Sequence, residues 1–218
     1  MRIAAVVPAF NESFTVEPVV RALIASRSFT EVIVVDDGSF DATCGLSLRA
    51  GCKVLEQRPN GGKGQAMLIG VRYALSHNAT AVGFFDADLL GFTTNHARGL
   101  ASLYRSGKYE MVCGLRDYGF LVNRLQVSRP SITGERIVSK RVLTTMPLNC
   151  WQGYRPEVAL NAVATFAKTK LVILKGVSIR TKSNKFGLVK GLKGDYRMFQ
   201  SLWAAEKTLR TSCGSSCE

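Results

Sequence analysis

Short apolar runs that each end in a polar cluster dominate the first half of this chain. Ile3–Val7, Glu31–Val35, Lys53–Leu55 and Ala81–Phe85 are rich in β-branched or aromatic residues, and amphipathic stretches at Thr15–Ala25, Asp41–Ala50 and Gly64–Ser76 separate them. Strands that are nearly all apolar and alternate with helices predict an α/β fold, a mostly parallel central sheet flanked by helices on both faces. Ligands bind such sheets beyond the carboxyl ends of the strands. Here those ends carry Pro8-Ala9-Phe10-Asn11-Glu12, Asp36-Asp37-Gly38-Ser39 and Asp86-Ala87-Asp88. Polar chemistry thus falls where the fold presents it to a ligand.

The second half is less regular. It predicts a helix over 97–106, a strand over Met111–Leu115, a helix opening over Thr133–Leu143, a helix over Pro156–Lys168 and a strand over Leu171–Ile179. After Lys190, residues Leu192, Tyr196, Phe199, Leu202 and Trp203 share one helical face beside Lys and Arg. Such a face either docks on the domain or lies on a membrane surface. With no internal repeat and no Pro/Ser linker, the chain reads as a single domain over 1–218, with halves at 1–91 and 92–218.

Charge divides the chain at the same place. Residues 1–91 carry 8 basic and 9 acidic side chains, 92–150 carry 9 and 3, and 151–218 carry 12 and 4, within a formal net charge of +13. A neutral first half and a basic second half call for an anionic partner in the second: a phosphorylated substrate, an acidic membrane surface or nucleic acid. No stretch approaches the roughly 20 apolar residues of a membrane span, and the N-terminus lacks the layout of a signal peptide. The expected location is therefore the cytoplasm. The six cysteines, Cys44, Cys52, Cys113, Cys150, Cys213 and Cys217, lack zinc-ribbon spacing, so free thiols are expected.

Asp86-Ala87-Asp88 places two carboxylates at a strand end, which suits Mg²⁺ or Mn²⁺ completed by substrate phosphate oxygens. A helix-capping acid with a solvated neighbour would give the same pattern. Asp36 and Asp37 could hydrogen-bond a base or ribose while Gly38 turns the chain. Two adjacent acids after a buried strand repel each other unless something offsets the charge. Asn60-Gly61-Gly62-Lys63-Gly64 precedes a helix and offers N–H groups, Gly62 among them, and one lysine to a phosphate; a plain turn is the alternative. In the basic half Arg116, Arg124, Arg129 and Arg136 are candidates for an anionic acceptor, since guanidinium forks match phosphate. His77 and His96 have no partner at ligand spacing.

Taken in order, Val6–Glu12, Val34–Ser39, Asn60–Gly64 and Asp86–Asp88 resemble the nucleotide-sugar half of family-2 glycosyltransferases of the GT-A fold. Gly114–Arg116, Thr133–Arg136 and Gly153–Glu157 are similar to polyprenyl-phosphate glycosyltransferases such as dolichol-phosphate mannose synthases. The resemblance implies that Pro8, Ala9, Phe10, Glu12, Asp36 and Asp37 bind the nucleotide, with Gly62, Lys63 and Asp86 at the phosphates. It also implies that Asp86 and Asp88 hold the metal and that Arg116, with Arg136, faces the acceptor phosphate. Metal between carboxylates and diphosphate neutralises charge on the leaving nucleotide, which makes Asp88 catalytic. An acceptor that is itself a phosphate arrives ionised, whereas a hydroxyl needs a general base, for which Glu157 and Glu135 are the candidates.

The implied function is a metal-dependent glycosyltransferase moving a sugar from a nucleoside diphosphate sugar to a phosphate-bearing, polyprenyl-linked acceptor at the inner face of a membrane, with peripheral contact to acidic lipid and no nucleic-acid partner. Relatives among glucosyl-phosphoglycerate synthases carry a metal-binding His after the last core strand. Val177-Ser178-Ile179-Arg180 has none, which argues against that subgroup. The alternatives are a sugar-phosphate nucleotidyltransferase, which would place a longer Gly-rich loop where Pro8–Glu12 stands, and a non-catalytic basic binding module on the same fold.

Overall fold

A computed structural model describes residues 1–118, 123, 133–152, 155–164 and 168–179. The strands are β1 (Ile3–Ala9), β2 (Glu31–Asp36), β3 (Lys53–Glu56), β4 (Ala81–Phe84), β5 (Leu89–Leu90), β6 (Met111–Arg116), β7 (Arg136–Ser139), β8 (Thr169–Leu174) and β9 (Ser178–Ile179). The helices are α1 (Val16–Ala25), α2 (Thr43–Arg49), α3 (Lys63–Ser76), α4 (Thr94–Arg105), α5 (Lys140–Thr145) and α6 (Arg155–Val163), with a 3-10 turn at Leu148–Trp151. The main sheet runs β3-β2-β1-β4-β7-β6-β8, and β5 with β9 forms a two-stranded ribbon.

Pairing is parallel from β3 through β4 and again between β6 and β8. Among the described strands of the main sheet, β7 alone runs against its neighbours, inserted between β4 and β6; β5 and β9 also pair antiparallel. The α/β architecture with a mostly parallel sheet is therefore the one expected. The alternation of β1 sorts the core: Ile3, Ala5 and Val7 pack with α1 and α4 on one face, while Ala4 and Val6 pack with α3 on the other. Each fully buried Val, Leu or Ile adds roughly 1.5–3 kcal/mol to that packing. The second face continues through Val142, Leu143, Trp151 and Leu160 of the later elements.

Two expectations for the second half need correction. The helix expected from Thr133 starts only at Lys140, because Arg136–Ser139 is β7. Its β-branched pair, Ile137 and Val138, is fully buried between two strands, and there sheet burial outweighs helix propensity. Ser139 then caps α5 by accepting from the Val142 N–H at 3.3 Å. The single strand expected over Leu171–Ile179 breaks at Gly176 (φ 73°), and the piece beyond it pairs with β5. Elsewhere α4 begins at Thr94, where Thr93 and His96 form a capping box. Arg124, Arg129, Tyr154, Arg180, the amphipathic stretch after Lys190, and Cys213 with Cys217 lie outside the described residues. Cys44, Cys52, Cys113 and Cys150 are free thiols. Among the described residues no helix is long and apolar enough to cross a membrane.

Candidate active site

The loops after β1 and β2 are laced together. Asn11, with φ 55°, donates its backbone N–H to Ser39 Oγ at 2.9 Å and accepts from the Phe40 N–H at 2.9 Å. The Glu12 N–H donates to Thr43 Oγ1 at 2.8 Å, and that of Ser13 to Asp41 at 3.1 Å. Pro8 and Ala9 are buried beneath this lacing. Glu12 is half-buried and accepts from the Thr15 hydroxyl at 3.3 Å. Phe10, 37% exposed, sits at the rim, its ring edge-on to Phe40 at 6.3 Å between centroids.

Asp36 and Asp37 are turned inward, 1% and 3% exposed. Asp36 Oδ1 accepts from the Ser39 N–H at 3.2 Å and from the Ser39 hydroxyl. Asp37 accepts from the N–H groups of Gly61 and Gly62, both at 2.8 Å, and its own N–H donates to the Ala9 carbonyl at 2.8 Å. The repulsion between the adjacent acids is thus offset by protein N–H and O–H groups. Both carboxylates brace the loops around them, the positions at which a base or ribose was expected to be bound. Asn60 adds an N–H bond to the Asp37 carbonyl at 2.8 Å.

Asp86, just beyond β4, is the hub of the site. Lys63, the first residue of α3, places Nζ 2.8 Å from Asp86 Oδ1 and 2.8 Å from Glu157 Oε1. Arg116, the last residue of β6, places Nη2 2.9 Å from Asp86 Oδ2 and 3.5 Å from Glu135 Oε1. Five segments far apart in sequence converge on one cluster. Burial alone would raise the Asp86 carboxyl pKa, but Lys63 and Arg116 outweigh it and hold the group below its ordinary value. Burial would likewise lower Lys63, yet Asp86 and Glu157 keep it firmly protonated.

Glu135 behaves oppositely. Full burial, reinforced by the negative charge of Asp86, raises its pKa, with Arg116 only partly compensating. The local hydrogen bonds agree. Thr133 Oγ1 lies 2.6 Å from the Gly114 carbonyl oxygen and 2.5 Å from Glu135 Oε2. One hydroxyl has a single proton to donate, so both contacts are satisfied when Glu135 carries a proton of its own.

Arg136, expected to face an acceptor, is fully buried. Its guanidinium donates to the Thr133 carbonyl, to the Glu157 carbonyl at 3.1 Å and to Asn161 Oδ1 at 3.1 Å. It pins the Thr133–Glu135 segment to α6, and its full burial sets it back from an open acceptor pocket. The two base candidates are also enclosed: Glu135 is 0% and Glu157 3% exposed, so neither stands open to an acceptor hydroxyl. Asp88 is half-buried, two residues beyond Asp86.

Gly134 is the residue whose role the sequence did not reveal. A Cβ there would lie 2.2 Å from Asp86 Oδ2 and 2.4 Å from Oδ1. Only a residue without a side chain lets this loop press against the Asp86 carboxylate. The Gly in Thr133-Gly134-Glu135 was visible, but nothing local marks contact with a residue so distant in sequence.

The donor set fits a hard divalent cation. Asp86 and Asp88 offer oxygen only, and Mg²⁺ or Mn²⁺ takes one or two carboxylates and fills its shell with water and phosphate. Lys63 and Arg116 already neutralise Asp86, so a cation gains little here until a diphosphate brings negative charge. Binding of the two is expected to be coupled.

The profile of the family described as Glycosyl transferase family 2 matches residues 4–160. An uncharacterized protein of Methanocaldococcus jannaschii is 35% identical over 83 residues, 38% of this chain and 34% of that protein, so the match spans about a third of that relative. The glucosyl-3-phosphoglycerate synthase of Mycobacterium tuberculosis, solved with Mn²⁺, uridine-diphosphate-glucose and phosphoglyceric acid, superposes with a TM-score of 0.76 at 22% identity, covering 95% of this chain and 79% of that one. The same enzyme solved with Mg²⁺ and uridine diphosphate gives 0.74 at 22% identity, with coverage of 95% and 79%. That is the subgroup the missing His argued against, and at this identity the likeness is one of fold. The profile takes in all of β1 but its first residue, every strand from β2 to β7, and Lys63, Asp86, Asp88, Arg116, Glu135 and Glu157, and on that match the chain belongs to glycosyl transferase family 2.

Proposed function

We propose that this protein transfers one sugar from a nucleoside diphosphate sugar, bound with Mg²⁺ or Mn²⁺, to an acceptor that bears a phosphate. The observation that carries the reading is the Lys63–Asp86–Arg116 cluster, a pair of cations held on one carboxylate at the carboxyl end of β4. Gly61 and Gly62, anchored on Asp37, bring the start of α3 to the same place, and a helix N-terminus favours an anionic group. Lys63 is placed to exchange its bond to Asp86 for one to a donor phosphate, and Arg116 to meet the phosphate of the acceptor. The cation, on Asp88 and Asp86, would supply Lewis-acid stabilisation of the departing diphosphate.

Phe10 and Phe40 supply an apolar edge for the base at the rim. The enclosure of Glu135 and Glu157 favours a nucleophile that needs no base, namely a phosphate oxygen already ionised at neutral pH. This supports the finer reading of a polyprenyl phosphate acceptor, reached by a cytoplasmic protein at the inner membrane face through its basic second half. The related fold binds phosphoglyceric acid, which is also phosphate-bearing.

The test is thermal shift with uridine, guanosine and thymidine diphosphates and their sugars, each with and without Mn²⁺, followed by transfer of labelled sugar to polyprenyl phosphate or phosphoglyceric acid. Ligand binding to the native state raises Tm by mass action. A shift that needs both one nucleotide and the cation, with transfer to one acceptor, is expected. No shift with any donor would reject the reading, and transfer to phosphoglyceric acid alone would reject the lipid acceptor.

A further inference from the structure

Behind the donor loops, on the β2–β3 side of the sheet, lies a second group of ligating side chains. Ligand atoms of Asp36, at the end of β2, Cys44, in the first turn of α2, and Glu56, at the end of β3, all lie within 4.8 Å of one another. Asp36 is 99% buried, and while Oδ1 serves Ser39, Oδ2 has no hydrogen-bond partner. A buried carboxylate oxygen without a donor is costly, and nothing in the donor pocket explains it. Cys44 is half-buried, with Sγ within 4.8 Å of carboxylate oxygens of both Asp36 and Glu56. Glu56 holds Arg58 through Oε2 at 3.3 Å, an exposed pair of the kind that contributes little.

We propose that Asp36, Cys44 and Glu56 form a site for a borderline-soft divalent cation, Zn²⁺ being the best chemical match, separate from the Mg²⁺ or Mn²⁺ position at Asp86 and Asp88. One thiolate with two carboxylates suits zinc and leaves a fourth position for water. Tetrahedral edges of about 3.5 Å fall within the 4.8 Å span of these atoms, and rotation of the exposed Glu56 side chain can adjust the third ligand. Binding replaces the Cys44 S–H bond with a metal–sulfur bond and releases that proton to solvent. The unpartnered Oδ2 of Asp36 then gains a cation. Asp36 Oδ1 holds Ser39, and Ser39 holds Asn11, so the ion braces the turn that carries the donor loops.

The experiment is a Co²⁺ titration of the 218-residue chain with Cys213→Ser and Cys217→Ser, so that those two thiols do not contribute. A thiolate-to-cobalt charge-transfer band saturating at one equivalent is expected. It should persist in Cys52→Ser, vanish in Cys44→Ser and require about tenfold more Co²⁺ or beyond in Glu56→Gln. Should Cys44→Ser lose its circular-dichroism signature of folding, alkylation of the parent chain decides instead: Zn²⁺ should protect Cys44, read by peptide mass. No band, a band that survives in folded Cys44→Ser, or alkylation of Cys44 unaffected by Zn²⁺ overturns the proposal. Asp88→Ala should leave the cobalt band intact, which separates this site from the donor site.

Discussion

Residues 1–91 carry their site at the open ends of parallel strands, with loops held by short-range bonds between side chain and backbone. Residues 92–179 deliver theirs from inside, through Arg116 at the end of β6 and the acids Glu135 and Glu157, which are almost wholly buried. The first half builds a cradle that is complete by itself. The second half closes it with charged groups whose states depend on one another. The neutral half fixes its loops by bonds among its own groups, Gly61 and Gly62 on Asp37 included, whereas the basic half must keep its cations paired until substrate arrives.

The contrast would break most visibly at Asp88. If the donor half depends on this carboxylate for its cation, Asp88→Ala should lose about 1000-fold in turnover, the several kcal/mol expected of Lewis-acid stabilisation at 1.36 kcal/mol per decade, with the fold retained by circular dichroism. Activity within tenfold of wild type in steady-state assays would move the cation elsewhere. Asp37→Ala addresses the cradle itself. Losing two charge-assisted bonds to Gly61 and Gly62 should cost about 3 kcal/mol, or about 6–12 °C in Tm for a chain of this size, and a melting curve shifted by less than 2 °C would show that the loop holds its shape without the acid.

From the other half, Gly134→Ala sharpens the comparison. The added methyl meets the Asp86 carboxylate, and displacement of about 1 Å should lower kcat about 100-fold while costing roughly 1–3 kcal/mol in stability. Equal kcat in the variant would mean that the loop yields rather than Asp86. The smallest effect concerns Glu135. Its folded pKa lies above the ordinary 4.5, so the stability it contributes is fully present below that value and is lost as pH rises through the folded pKa. Glu135→Gln has no proton to lose, and its stability should fall less with pH above 4.5, by at most about 1.4 kcal/mol per pH unit. Superimposable pH profiles of the two chains in thermal melts would show Glu135 ionised in the fold.

The parallel half was legible because its cues are local. Apolar runs such as Val32–Val35 end where Asp36 and Asp37 begin, and the spacing of Asn60–Lys63 sets the start of α3. What those acids do was less legible. Asp37 serves Gly61 and Gly62, and a sequence shows that an acid is near a strand end but not which way it turns. The antiparallel β7 escaped because Arg136-Ile137-Val138-Ser139 gains its strand identity from two flanking strands, β4 and β6. Arg136 escaped for the same reason, since a cation among basic residues reads as surface until its neighbours are known. The pairing of Lys63 with Glu157 joins residues that no sequence window contains.

The position of β7 also bears on how the chain acquires its shape. A nascent chain that has reached the end of β4 can already align β3, β2, β1 and β4, but the outer edge of β4 has no partner until Arg136–Ser139 emerges. At about 5–20 residues per second, the roughly fifty intervening residues take several seconds to synthesise. During that interval a short, fully buried strand of the finished protein presents open backbone groups to the cell. Such an edge pairs with other chains if nothing shields it. Because β6 joins the sheet through β7, the late strand is also the step that unites the two halves.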